Sequence, residues 1–159
     1  MKKVAATGGP AQTICDVVDS RGGAWGRDGT ILFSDGPARP IFRVPSAVGT
    51  PTPLTSPTGG NAGGHRSPEF LPDGQHFVFN ATANTPENAG ILVGSLDGSA
   101  PVHLLPDDSN SIFEHGHLFL LREGTLMALP FDAVTRTATA EAFPVAENVA
   151  IAANNRYGA

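Results

Sequence analysis

The sequence predicts an all-β fold assembled from repeated units, and three observations predict it. The first is recurrence. Trp25-Gly26-Arg27-Asp28-Gly29-Thr30-Ile31-Leu32-Phe33 is answered by Phe70-Leu71-Pro72-Asp73-Gly74-Gln75-His76-Phe77-Val78-Phe79, and more weakly by Phe113-Glu114-His115-Gly116-His117-Leu118-Phe119-Leu120-Leu121. Asp28-Gly29 and Asp73-Gly74 lie 45 residues apart, and Gly116 follows Gly74 by 42. The second is strand chemistry: short apolar runs bounded by Gly, Pro, Asn and Asp. The third is that no window carries a 3.6-residue apolar period, so almost no helix is expected. A period of about 45 residues is the size of one four-stranded propeller blade. The expected architecture is a β-propeller fragment: three complete four-stranded blades plus partial blades at both ends, closed by oligomerisation.

The elements follow in order within a single domain, 1–159. Residues 1–16 read as the last two strands of a preceding blade, joined by a turn at Gly8-Gly9-Pro10. Blade 20–56 uses strands at 23–25, 30–34, 40–44 and 52–55. Blade 65–106 repeats them at 68–70, 75–80, 90–93 and 102–105. Blade 109–148 does so at 111–113, 117–122, 125–130 and 142–145. Residues 149–159 read as the first strand of a following blade. The runs Ile31-Leu32-Phe33 and Phe77-Val78-Phe79 are apolar on both faces, as strands sandwiched between neighbouring sheets should be. Asp73-Gly74 predicts a tight hairpin turn with Gly74 at positive φ. Trp25 and Phe70 hold equivalent places and are expected to pack between blades. Segments 56–64 and 81–89 have turn composition and no apolar pattern, so they read as loops.

Composition narrows the function classes. At 159 residues the chain can bury a core, its apolar fraction is 40%, and Gly 19 with Pro 14 makes it turn-rich. Charged residues are 16% and the net charge is -5, with 10 basic against 15 acidic side chains, which disfavours a nucleic-acid partner. Cys15 is the only cysteine and reads as a small apolar residue in an outer strand. Met1-Lys2-Lys3 is followed by no apolar core of a signal peptide, and no run approaches a membrane span. As written, the chain is expected to be soluble, with its compartment unknown.

Phe70-Leu71-Pro72-Asp73-Gly74, Gly94-Ser95-Leu96-Asp97-Gly98 and the run from Arg122 through Glu123-Gly124-Thr125-Leu126 to Asp132 resemble TolB-like, WD-repeat-like propeller segments of soil bacteria. Such segments often follow a membrane helix on serine/threonine protein kinases. The resemblance covers nearly the whole chain. It implies a sensor or interaction module whose parent protein has an extracytoplasmic origin. The chain has no glycine-rich nucleotide loop, no His-Arg-Asp and no Asp-Phe-Gly, so kinase activity does not carry over.

Chemistry-bearing residues are few. No Gly-x-Ser-x-Gly elbow is present, and the Gly-rich run 58–64 lacks the Lys-Ser/Thr ending of a phosphate loop. His115-Gly116-His117 places two imidazoles at a turn beside Glu114, a donor set suited to Zn, Ni or Mn. The bland alternative is that His115 replaces the Asp of the blade turn and His117 begins a strand. His65 opens a strand expected to line the propeller channel. With Arg66, Arg21 by register, and Asp108 nearby, it forms a candidate ring at the channel mouth for an anion or a metal. The alternative there is a structural ring of hydrogen bonds between blades. Asp107-Asp108 after Pro106 reads as a solvated turn.

The leading expectation is a non-catalytic propeller module for a small-molecule or protein ligand, assembled as a homodimer that completes the ring. The alternative is a metal-dependent hydrolase of an ester, lactone or phosphotriester. There His65, His115 and His117 would hold a divalent metal (Zn, Ni, Mn or Ca) in the channel. Glu114 or Asp108 would accept the proton.

Overall fold

The computed structural model describes residues 1–57, 63–83, 85 and 87–150. These residues form four antiparallel sheets in chain order, with no helix among them. None of them therefore lies in a helix long and apolar enough to cross a membrane. The first sheet pairs β1 (Lys2–Lys3) with β2 (Gln12–Thr13). The second is a meander of β3 (Ser20–Trp25), β4 (Thr30–Asp35), β5 (Ile41–Pro45) and β6 (Thr52–Pro53). The third repeats that meander with β7 (His65–Phe70), β8 (His76–Ala81), β9 (Gly90–Ser95) and β10 (Val102–Leu105). The fourth has β11 (Ser111–Glu114), β12 (His117–Arg122) and the long β13 (Thr125–Asp132). β15 (Phe143–Ala146) pairs with the first half of β13 and β14 (Thr137–Ala138) with its end.

Turn chemistry explains why the chain reverses where it does. Gly29 N–H donates to Gly26 O, Gly74 N–H to Leu71 O and Gly98 N–H to Ser95 O, each closing a four-residue turn. The closing glycines lie at φ 87°, 66° and 79°, in the left-handed region that penalises side chains. Asp73 adds its carboxylate, which accepts from Gln75 and His76 N–H at 2.9 Å. The expected Asp73-Gly74 turn is thus present. The fourth sheet turns differently. His115 (φ 48°) and Gly116 (φ 76°) are both left-handed between the paired Glu114 and His117, the backbone of a two-residue type I′ hairpin. Glu123 (φ 51°) and Gly124 (φ 79°) do the same between Arg122 and Thr125.

The repeat is legible in its irregularities too. The β3–β4 register shifts between Ser20 and Gly23, and the β7–β8 register shifts between Arg66 and Glu69. Inside these bulges sit Gly22 (φ 97°) and Ser67 (φ 50°), 45 residues apart in the chain. A Cβ on Gly22 would lie 2.8 Å from the Ser67 Cα, so the two bulges abut.

Packing alternates face by face. Ile31 and Phe33 of β4 join Ile14 and Cys15 beside the first sheet, whereas Leu32, between them, joins Phe77, Phe79 and Ala81 of β8. Val78, between Phe77 and Phe79, turns the other way and joins Leu118, Leu120, Leu129 and Phe131 of the fourth sheet. The strands expected to be apolar on both faces are therefore buried on both faces. Phe77 and Phe79 are fully buried, each contributing about 1.5–3 kcal/mol by burial. Cys15 is buried with Ile14 beside the first sheet, as a small apolar residue should be, but it follows β2 instead of lying in the expected outer strand.

Two expectations need correction. Trp25 does not pack between sheets: it is 57% exposed, because it lies at the end of β3 beside an open cavity. Residues 137–138 form a short strand where none was expected. Of the expected C-terminal strand, 151–159 lie outside the described residues, as do 58–62, 84 and 86 of the expected loops.

Candidate functional site

β3, β7 and β11 are the first strands of the three larger sheets, and each runs into its turn with an aromatic residue at or next to its end: Trp25, Phe70 and Phe113. The register that aligns the turns also aligns these rings. Together they line a cavity of about 420 Å³ with Arg27, Glu114 and His115 on its walls. Gly26 makes the arrangement possible, since a Cβ there would come within 3.1 Å of the Phe70 ring. The volume falls in the range of small-molecule pockets.

The walls differ in charge. Arg27 stands in the turn of the second sheet. Glu114 ends β11 in the fourth sheet, where its Oε1 lies 2.8 Å from His115 Nδ1 on the exposed turn. Glu69, one residue before Phe70, is half-buried. Burial pushes its carboxyl above the usual range, and the negative charge of Glu114 pushes it further in the same direction. Of these two carboxylates, Glu114 lines the aromatic-walled space.

The residues singled out from sequence fall in several places. His65 is 7% exposed at the start of β7, the opposite end of that strand from Phe70 and the cavity. Its Nδ1 lies 2.7 Å from Thr55 Oγ, which also accepts Ile41 N–H at 2.9 Å. Burial holds its pKa down to about 4. Its ring rests 4.8 Å from that of Phe79. His115 and His117 belong to the β11–β12 turn, so β7 holds His65 away from them. His117 Nδ1 bonds its neighbour's carbonyl, His115 O, at 2.9 Å, and its ring lies near Phe119 and Phe143. Among the described residues no group of three or more His, Cys, Asp and Glu side chains is placed to hold a metal.

Arg21 pairs with Asp19 at 2.8 Å, and Arg66 bonds Thr82 Oγ at 3.0 Å. Asp107, beside Asp108, holds Arg122 through two hydrogen bonds of 2.8 and 2.9 Å. That half of the acidic pair therefore anchors the turn to β12. His76 pairs with Asp73, and His103 with the carbonyl of Ala89.

Sequence reasoning singled out Glu114 and His115 but missed Arg27 as a site residue. The repeat places Pro72 opposite Arg27, so periodicity does not mark it. The aromatic residue shared by the three strand ends was the available signal.

No protein-family model matches the chain, and neither a curated protein nor a solved structure does.

Proposed function

We propose that the chain is a non-catalytic binding module, built as consecutive blades of a TolB-like β-propeller and completed by a second copy of itself. The observation that carries the binding role is the cavity where Trp25, Phe70 and Phe113, one ring from each successive sheet, converge. Such a site offers contact area and orientation without a nucleophile, and no activated thiol or hydroxyl stands in it. On this reading the blades are 20–56, 65–106 and 109–148, with partial blades at 1–16 and 149–159.

The two ends support assembly. Between the two-stranded first sheet and β3–β4 runs a groove of about 290 Å³ lined by Met1, Ile14, Ile31 and Phe33. It occupies the place that β4 fills one repeat later, where Leu32 covers Phe77 and Phe79, the counterparts of Ile31 and Phe33. At the other end the fourth sheet leaves Ile112, Phe143 and Val145 46–59% exposed. Apolar ends of this kind favour association that hides them.

The experiment is a paired screen on purified protein. Metal analysis with esterase and phosphotriesterase assays, with and without chelator, is expected to show no chelator-sensitive turnover. Stoichiometric metal with chelator-sensitive hydrolysis would replace this reading with the metal-dependent hydrolase.

A further inference from the structure

We infer that the groove beside Trp25 and β1 is a strand-docking site, and that residues 151–157 of a second copy fill it. The inference rests on the assembly proposed for this chain and names the surface and the segment that carry it.

The fold elsewhere fills this place with a strand. In the second and third sheets the third strand, β5 or β9, has the second strand, β4 or β8, along one edge. In the first sheet β1 pairs with β2 alone among the described residues, so its other edge is open. Trp25, Ile31, Phe33 and Ile14 wall the groove beside that edge. The counterparts of Trp25 are covered. Phe70 packs against the cluster of Leu32, Phe77 and Phe79, and Phe113 against that of Val78, Leu118 and Leu120. Trp25 is left 57% exposed. An extended segment at an open edge gains backbone hydrogen bonds, and the apolar walls select its side chains.

The sequence supplies the segment. The aromatic residues of the three first strands, Trp25, Phe70 and Phe113, are spaced by 45 and 43 residues, and Tyr157 follows Phe113 by 44. Three residues before each of the four stand Gly22, Ser67, Asn110 and Asn154. Gly22 and Ser67 are left-handed, and asparagine accepts that conformation more readily than most side chains. Residues 151–157 thus carry the sequence signature of a first strand and a ring for the groove. Docking within one chain is out of reach. Val149 N–H bonds Gly124 O on the fourth sheet, and the chain from Ala150 to Tyr157 extends at most about 25 Å. The groove of the same chain lies on the far side of the second sheet, three sheet spacings of about 10 Å away. A second copy is therefore the source.

The groove carries its own reporter, since Trp25 is the only tryptophan in the chain. Full-length wild type and Y157A are compared at micromolar concentration by light scattering and by acrylamide quenching of Trp25, with circular dichroism to check that both are folded. The wild type is expected to be a dimer whose quenching is at least about twofold weaker than that of Y157A, which should be monomeric. A synthetic peptide of residues 149–159, in excess over wild type, should convert the dimer to monomer while keeping Trp25 protected. The same peptide carrying Y157A should act at least about tenfold more weakly. A dimer whose Trp25 is freely quenched, or one that ignores both Y157A and the peptide, overturns the docking and leaves the proposed assembly to another surface. A monomer whose Trp25 the peptide protects upholds the docking site and its segment while defeating the closed assembly. A monomer that ignores the peptide defeats both.

Discussion

Removing the titratable group at His65 tests the packing of the second sheet against the third. The ring is 7% exposed against Phe79, and Thr55 Oγ approaches its Nδ1 at 2.7 Å. Thr55 Oγ also accepts Ile41 N–H, so one hydroxyl ties the ring to β5. Burial disfavours the charged ring and lowers its pKa from 6.5 to about 4. The unfolded chain then takes up a proton near pH 6.5 that the folded chain refuses until about pH 4. Stability contributed by the neutral ring is complete above pH 6.5 and is lost as pH falls towards 4. Each pH unit corresponds to about 1.4 kcal/mol, so the full window represents about 3 kcal/mol. Urea unfolding of the wild type and His65→Leu between pH 7.5 and 4 isolates the contribution, since other titrating groups cancel in the difference. The wild type should lose about 3 kcal/mol relative to the variant across that range. Parallel stability curves would refute the buried, neutral ring and with it the local packing.

Four further outcomes are expected. Phe77→Ala should cost about 3–5 kcal/mol in urea unfolding, because Phe77 is fully buried between two sheets; a loss below about 1 kcal/mol would contradict that packing. Gly94→Ala places a Cβ 2.5 Å from the Phe77 ring and should cost about 1–3 kcal/mol by overpacking, partly recovered in the Phe77→Leu background; an unchanged melting temperature would contradict it. Gly74→Val meets open space but a φ of 66°, so strain alone should cost about 1–2 kcal/mol, and a neutral substitution would argue against the turn. Deleting residues 1–16 removes Ile14 and Cys15 from the cluster with Ile31 and Phe33, and should lower solubility and disrupt assembly together, as read by sedimentation.

The strands and turns were largely legible because their signals are local. Asp-Gly pairs dictate left-handed turn residues, and apolar runs on β4 and β8 reveal two-sided burial without any knowledge of neighbours. Bulges were not legible. Gly22 announces a flexible position, but Ser67 at φ 50° is held there by its contact with the opposing bulge, which only tertiary packing creates. The site was half legible. Equivalent aromatic positions can be counted along the chain, yet whether Trp25 faces a core or a cavity depends on what lies beyond the strand end. The distance from His65 to the His115 turn is likewise a matter of strand direction: both adjoin first strands, but at opposite ends.

The account stands most directly on the assembled state, because open apolar ends are what it asks a second copy to cover. Light scattering at micromolar concentration measures this without further assumption. A mass near twice that of the 16.4 kDa chain, independent of concentration, is the expected result. A stable monomer with the same fold would contradict the closed assembly.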